Sequence, residues 1–133
     1  MRRSIIAPVV LAMMFILGCS KGSSDYTIDA APVTLAKAGK AEVVFSPGAG
    51  YKWNADFPAK LTVVDKGGLT VEQTAYKRED FILEGDSAKL SIELSGENSG
   101  KTNLKMTANF SVCTDEVCRI FREIPIEIAV TVQ

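Results

Sequence analysis

The amino-acid sequence predicts an all-β chain folded as an antiparallel β-sandwich. Short stretches rich in β-branched and aromatic residues recur about every 8 to 12 residues, and Gly, Pro, Asn and Asp separate them. The last stretch alternates between apolar and polar side chains, which is typical of a strand with one buried face. No segment shows the periodicity of an amphipathic helix.

Each predicted strand is bounded by residues that favour turns. The turns fall at residues 46–48, 66–68, 85–86 and 95–100, where Gly and Asn tolerate positive φ and Pro fixes a bend. The predicted strands cover residues 33–35, 42–45, 61–64, 69–73, 89–94, 102–112 and 118–132.

The last two predicted strands form a hairpin, because both carry apolar residues at alternate positions. In one register Val112 lies opposite Cys118, and apolar residues face each other along most of the hairpin. In the other register Cys113 lies directly opposite Cys118, which brings Phe110 beside Phe121 but sets a Glu and a Pro against apolar residues. The pattern favours the first register, which places Cys113 at the start of the connecting loop and so on its more accessible side.

The start of the chain has the pattern of a lipoprotein signal peptide. Arg2 and Arg3 precede an apolar segment, residues 5–17, which is shorter than the roughly 20 residues of a spanning helix. The sequence Ile-Leu-Gly then leads into Cys19, a pattern that lipoprotein signal peptidase cuts and lipidates. We therefore expect residues 1–18 to be removed and Cys19 to carry fatty acyl chains such as palmitate as a membrane anchor. An ordinary secreted protein with a cysteine after its signal peptide is the alternative.

Beyond the lipidation residue, the sequence predicts a flexible tether at residues 19–25 and one folded domain at residues 26–133. Ser20 follows the cysteine in place of Asp, which in Gram-negative lipoproteins favours export to the outer membrane. We expect the domain to lie in the cell envelope, on the periplasmic face of the outer membrane.

Composition argues against several classes of function. The chain carries 15 basic and 16 acidic residues, and without a dense basic face it is not expected to bind nucleic acid. It contains no histidine, which removes Ser-His and Cys-His nucleophiles and the commonest metal ligand. The sequence therefore argues against hydrolases and zinc enzymes and points to no cofactor or metal.

Cys113 and Cys118 form the candidate site. Two cysteines besides the lipidated one, in an oxidising compartment, predict a disulfide. Their spacing is wider than that of a CxxC redox motif, and no second pair completes a zinc site. A ring this small contributes only about 2 kcal/mol of stability, so a structural and an exchangeable disulfide both remain open. Asp115 and Glu116 disfavour a thiolate here, whereas Arg119 favours one.

Three short segments resemble one known family. Residues 110–118 read Phe-Ser-Val-Cys-Thr-Asp-Glu-Val-Cys and are followed by Ile-Pro-Ile-Glu-Ile at residues 124–128. Residues 47–53 contain Pro-Gly and two aromatic residues, and residues 79–81 read Glu-Asp-Phe. Together these segments, spread over roughly residues 40–130, resemble the amino-terminal periplasmic domain of the thiol:disulfide interchange protein DsbD and its relatives. The resemblance implies an immunoglobulin-like fold.

The resemblance also implies a role for the cysteine pair. In that family the two cysteines form a disulfide that the membrane-embedded part reduces and that then reduces periplasmic partners, beneath an aromatic cap loop. By resemblance, Cys113 and Cys118 are the redox pair, Phe81 is the cap, and the partners are periplasmic or membrane thiol-disulfide proteins. The other interpretation of Phe81 is an ordinary core side chain, as we expect for Tyr51 and Trp53.

The chain departs from the family pattern in two respects. Four residues separate the cysteines where the DsbD domain typically has five, and the sequence contains neither the transmembrane nor the thioredoxin-like part. Electrons would therefore have to come from a separate protein. Two hypotheses follow: a thiol:disulfide exchange module, and a non-catalytic envelope lipoprotein that binds or scaffolds another protein and carries an inert disulfide.

Overall fold

A computed structural model describes residues 22–23 and 25–133 of the chain. The predicted signal peptide, the lipidation residue Cys19 and the rest of the predicted tether lie outside these residues. The described part consists mostly of strands, with one 3-10 turn at Arg78–Asp80, and none of its helices is long and apolar enough to cross a membrane. The strands are β1 (Gly22–Ser23), β2 (Tyr26–Asp29), β3 (Val33–Leu35), β4 (Ala38–Pro47), β5 (Lys52–Trp53), β6 (Lys60–Asp65), β7 (Thr70–Val71), β8 (Ala75–Lys77), β9 (Ile82–Glu84), β10 (Ser87–Ser95), β11 (Gly100–Cys113) and β12 (Cys118–Val132).

These strands form an immunoglobulin-like β-sandwich of two six-stranded sheets. Sheet A has the order β1-β2-β4-β10-β7, and β9 also pairs with β10. Sheet B has the order β3-β12-β11-β6-β8, and β5 also pairs with β11. Among the described strands every pairing is antiparallel except that of β3 with β12. The all-β sandwich predicted from the sequence is confirmed.

The core lies between the two sheets. The long strands β4, β10, β11 and β12 each turn alternate side chains inward, and the burial of these apolar groups drives the sheets together. Among the described residues, Ser111 is the one buried polar side chain. The largest fully buried side chains are Phe45, Phe110, Leu35, Leu61, Leu90, Ile92, Leu104, Met106, Ile128, Val43, Val112 and Val130.

The predicted strands agree with the structure where the alternation is long. The strands predicted at residues 33–35 and 118–132 have the bounds of β3 and β12, whereas the strand predicted at residues 69–73 is reduced to β7. The sequence analysis does not predict β2, β5, β8 or β9, which are two to four residues long. Two residues of the predicted tether, Gly22–Ser23, instead pair with Tyr26 and Thr27 as β1, which covers the outer edge of β2.

The predicted hairpin of β11 and β12 is present, but its favoured register is wrong. Cys113 pairs directly with Cys118, as in the alternative register. Below the tip a β-bulge shifts the pairing, so that Met106 lies opposite Ile126. The bulge adds one residue to β12 and so exchanges the inward and outward positions on that strand. Apolar side chains therefore face the core on both sides of the bulge, which a comparison of uniform registers cannot reveal.

Asn109 supports this bulge. Its side-chain Oδ1 accepts a hydrogen bond of 2.8 Å from the backbone N–H of Glu123. Glu123 has a φ of 53°, in the left-handed region that residues other than glycine rarely adopt. The hydrogen bond thus compensates for an unfavourable backbone conformation.

Replacing this side chain is expected to weaken the bulge. Asn109→Ala should lower the free energy of unfolding by about 0.5–1 kcal/mol, because the N–H of Glu123 loses its acceptor and is left to water. Thr107→Ala, on the same strand and the same face, is the control and should change stability by less than about 0.5 kcal/mol. Urea unfolding measures both. Equal losses in the two variants would show that Asn109 has no special role.

Glu72, which follows β7, interacts with Glu93 of β10. The backbone N–H of Glu72 donates to the carbonyl oxygen of Glu93 at 3.2 Å. A side-chain hydrogen bond with Glu93 raises the pKa of Glu72 above its ordinary 4.5, and repulsion between the two carboxylates raises it further. Because the folded pKa lies above the unfolded one, the pair stabilises the fold below the unfolded pKa, and this stability is lost as pH rises through the folded pKa.

This pair predicts a pH-dependent effect of one substitution. Glu72→Gln is expected to raise the melting temperature at neutral pH, where it removes the repulsion between like charges. At a pH well below the ordinary pKa of a glutamate, where the Glu72 carboxyl is protonated, the variant and the unmodified protein should melt together. Glu97→Gln, at an exposed glutamate of a nearby turn, is the control and should show no such trend. A stabilisation that is the same at every pH would contradict the prediction.

Candidate functional site

The candidate site is a disulfide at the tip of the β11–β12 hairpin. Cys113 ends β11 and Cys118 begins β12, and the two sulfur atoms are bonded at 2.04 Å. The Cα atoms of this directly opposed pair are 4.0 Å apart. The disulfide predicted from the cysteine count is therefore present.

The loop between the cysteines is held by its own hydrogen bonds. The N–H of Thr114 donates to the carbonyl oxygen of Val117 at 2.8 Å. The Oγ1 of Thr114 accepts from the backbone N–H groups of Glu116 at 3.2 Å and Val117 at 3.1 Å. The turn thus satisfies three of its backbone N–H groups locally.

The disulfide is one of several interactions that close the hairpin. The two strands pair from Cys113 and Cys118 down to Gly100 and Val132. A disulfide stabilises mainly by restricting the unfolded chain, and a ring this small restricts it little. Opening the bond therefore leaves the hairpin closed by its backbone ladder and by its buried face.

The two cysteines differ in accessibility. Cys113 is half-buried and pairs on its other side with Lys52 of β5, whereas Cys118 is exposed. Hydrogen bonds hold β5 in place: the N–H of Trp53 donates to the carbonyl oxygen of Asp86 at 3.1 Å, and a further bond links residue 54 to β11. The sequence-based expectation that Cys113 is the more accessible cysteine is wrong, because it follows from the incorrect register and from the absence of β5 among the predicted strands.

The disulfide lies on the outer face of sheet B. Val112 and Trp53 are paired and buried, and side chains alternate along a strand. The next pair, Cys113 with Lys52, therefore points away from the core, and so does Cys118, which lies opposite Cys113. Lys52 thus places a cation on the same face as the sulfurs, and a nearby cation favours a thiolate over a thiol. Sequence analysis missed Lys52, because its neighbour on β11 is remote in the chain.

The charge on Arg119 is directed elsewhere. Arg119 pairs with Val112, so its side chain leaves the strand on the face opposite that of the sulfurs. Its guanidinium lies 3.6 Å from the carboxylate of Asp25, and its side chain is 58% exposed. An ion pair this exposed contributes little stability, but it partly neutralises the cation. Arg119 therefore favours a thiolate less than the sequence alone suggests.

Aromatic rings fill the core beneath the disulfide. Phe81 is 7% exposed, and its ring centroid lies 5.8 Å from that of Phe45 and 5.5 Å from that of Trp53. Trp53 is buried and Tyr51 packs against the core, as predicted. Phe81 thus lies on the core side of the sandwich, whereas Cys113 points outward. Its position is that of a core side chain, and its role as a cap stays a prediction.

The 3-10 turn explains how the chain directs Phe81 inward. The N–H of Lys77 donates to the Oδ2 of Asp80 at 2.8 Å, which closes the turn at its start. The N–H of Phe81 donates to the carbonyl oxygen of Arg78 at 3.3 Å and closes the turn at its end.

Within the described residues, no group of His, Cys, Asp and Glu side chains is placed to hold a metal ion.

Fold and site together define a β-sandwich domain with an accessible disulfide at a hairpin tip. No family model and no curated protein matches the chain. A PapD-like domain of human CEP192 is similar to it, with a TM-score of 0.38, 9% identity, and coverage of 95% of this chain and 98% of that one. Murine CRIg gives a TM-score of 0.40 and 11% identity over 81% of this chain and 98% of that one. The CooA pilin subunit from enterotoxigenic Escherichia coli gives a TM-score of 0.31 and 11% identity over 77% of this chain and 88% of that one. Similarities this low carry no argument about function.

Proposed function

We propose that this domain exchanges its Cys113–Cys118 disulfide with the thiols of partner proteins. The observation that carries the proposal is a bond that is exposed at Cys118 and lies at the tip of a hairpin whose strands pair from Cys113 and Cys118 down to Gly100 and Val132. A bond of this kind can open and close without unfolding the domain. The resemblance of residues 110–118 to the corresponding segment of the DsbD domain supports the same function.

The geometry favours Cys118 as the sulfur that is attacked. Thiol–disulfide exchange proceeds by attack of a thiolate on one sulfur, along the line of the sulfur–sulfur bond and opposite the leaving sulfur. Approach to Cys113 along this line comes from the side of β5 and Lys52, whereas approach to Cys118 comes from the outer side of β12. Cys113 then leaves as a thiolate, and the Lys52 cation on the same face favours that charge.

The atoms and electrons balance in two steps. A partner thiolate bonds to the sulfur of Cys118, the disulfide breaks, and Cys113 leaves as a thiolate that takes up a proton. A second thiol of the partner then attacks the mixed disulfide and releases Cys118. The partner becomes a disulfide and the domain a dithiol, with the transfer of two electrons and two protons. The same steps run in reverse oxidise the domain.

We further propose that the chain acts in the cell envelope, anchored through acyl chains on Cys19. The apolar start of the sequence and the cysteine that follows it support this location. The outer membrane is the expected site because Ser20, and not Asp, follows the lipidation residue. The partners are then periplasmic or membrane thiol-disulfide proteins, one of which supplies or accepts the electrons.

The reduction potential of the disulfide tests the exchange. Equilibration with glutathione buffers is expected to give a potential of about −120 to −270 mV, the range of known exchangeable pairs. Far-UV circular dichroism should be unchanged on reduction, because the strands remain paired. The variant Cys113→Ser/Cys118→Ser is the control and should show the same spectrum in every buffer. A potential below about −300 mV would contradict the proposal and favour the scaffolding lipoprotein with an inert disulfide.

A further inference from the structure

The edge of sheet B beside Cys118 presents unpaired backbone groups. The hydrogen bond from Thr114 to Val117 makes these residues a hydrogen-bonded pair, and such pairs alternate along an antiparallel ladder. Cys113 and Cys118 are therefore a non-hydrogen-bonded pair, which agrees with their short Cα separation of 4.0 Å. The N–H and C=O groups of Cys118 point away from β11 as a result. Two residues further on, those of Ile120 do the same.

No described strand covers this part of the edge. Besides β11, the partner of β12 among the described strands is β3, which pairs only with Val130 to Val132 at the far end. Side chains at the open end are also accessible: Ile120 is 52% exposed and Val117 is 51% exposed. An exposed edge with apolar side chains is a template for another strand.

The edge is blocked from the bulge onward. The N–H of Glu123 is taken by Asn109, the bulge twists the strand, and Pro125 has no N–H to donate. Proteins block edges in this way to prevent unwanted pairing. The open part of the β12 edge is thus limited to residues 118–122, the stretch that begins with the accessible sulfur of Cys118.

We propose that partners dock by adding an extended segment to β12 at residues 118–122, with their cysteine opposite Cys118. This inference rests on the proposed function and specifies how the partner is recognised. The occupant is an extended segment with a cysteine and, two positions away, a β-branched or other apolar side chain. In paired strands opposite residues share a face, so that side chain covers Ile120 while the cysteine lies beside the sulfur of Cys118.

The docked position is also the reactive one. A strand added to this edge lies on the side of Cys118 remote from Cys113, which is the side from which the thiolate must approach. Backbone hydrogen bonds provide an affinity that depends little on most of the partner's side chains. The cysteine and its apolar neighbour provide specificity. Edge pairing therefore aligns the thiol of an extended segment with the Cys113–Cys118 bond. A small thiol such as glutathione is not aligned in this way.

A proline substitution separates docking from chemistry. Ile120→Pro removes an N–H that points to the open edge and is not part of the ladder with β11, so an edge strand tolerates it. Ile120→Ala is the matched control, because it shortens the side chain and keeps the N–H. The probes are the peptide Thr-Val-Thr-Cys-Thr-Val-Thr and reduced glutathione, and the readout is the rate of disulfide opening.

Ile120→Pro is expected to slow the peptide about tenfold, equivalent to about 1.4 kcal/mol, and to change the glutathione rate less than twofold. Ile120→Ala should slow the peptide much less than the proline variant does. The docking proposal is overturned if the proline variant leaves the peptide rate unchanged, or if it slows both probes equally while its circular dichroism stays that of the unmodified protein.

A second measurement decides the question in the unmodified protein. The same peptide with Ser in place of Cys, at millimolar concentration, should slow amide hydrogen exchange at Cys118 and Ile120. It should leave Glu123 unaffected, because that N–H is already bonded to Asn109. Absence of protection at both residues overturns edge docking. If neither thiol opens the disulfide but the amides are protected, the exchange function fails and the docking surface stands.

Discussion

In the variant Cys113→Ser, the remaining Cys118 thiol is expected to react with oxidised glutathione about ten times faster, or more, than the Cys113 thiol of Cys118→Ser. The reason is access: Cys118 is exposed beside the open part of the β12 edge, whereas Cys113 is half-buried beside β5. Attack must follow the line of the new sulfur–sulfur bond, and β5 restricts that approach to Cys113. Stopped-flow kinetics on the two variants measures the ratio.

The comparison is sharpest at about pH 10, where both thiols are largely ionised and the effect of Lys52 on thiolate formation is small. Unfolded in denaturant, the two variants should react at similar rates, which shows that any difference arises from the fold. A faster reaction at Cys113 would reverse the assignment of the attacked sulfur. It would also remove the geometric basis for docking at the β12 edge.

Phe110→Ala is expected to lower the free energy of unfolding by about 3–5 kcal/mol, the largest effect on stability that we foresee. Phe110 is 1% exposed. It lies at the centre of an aromatic cluster under the hairpin tip, which also contains Tyr26, Phe45, Trp53 and Phe121. Its ring centroid lies 5.0 Å from Tyr26, 5.2 Å from Phe45 and 5.3 Å from Phe121. Truncation leaves a cavity that these rings cannot fill, and the lost ring contacts add to the loss.

Phe121→Ala is the control for this substitution. Phe121 belongs to the same cluster but is only half-buried, so its removal exposes less new cavity and should cost clearly less than the loss of Phe110. Denaturant unfolding gives both values, and near-UV circular dichroism reports the packing of the rings. Similar losses in the two variants would mean that the cluster does not depend on its central ring.

Stability and reactivity are expected to depend on different parts of the same hairpin. Phe110 anchors β11 to the core from the inner face, and Cys113 lies three residues further along on the outer face. Stability is therefore expected to reside in the aromatic cluster, and reactivity in the disulfide at the tip. A domain that separates the two can open its disulfide repeatedly and remain folded.

Several features of the fold follow directly from local sequence pattern. The alternation of Ile126, Ile128 and Val130 defines β12, and the strands predicted at residues 33–35 and 118–132 have the observed bounds. The number of cysteines predicts the disulfide. These features depend on neighbours in the chain or on a simple count, which is why the sequence alone suffices for them.

The geometry of the cysteine pair was decided by the tertiary structure alone. The bulge opposite Asn109 sets Cys113 against Cys118, and the short strand β5 brings Lys52 beside Cys113 and leaves Cys118 as the exposed sulfur. Whether Phe81 lies over the sulfurs or in the core likewise depends on which face its neighbours occupy. All of these depend on pairings between segments that are remote in the chain or on one inserted residue. The alternation of side chains predicts neither these pairings nor the inserted residue. It shows which face of a strand is buried and not which strand lies next to it.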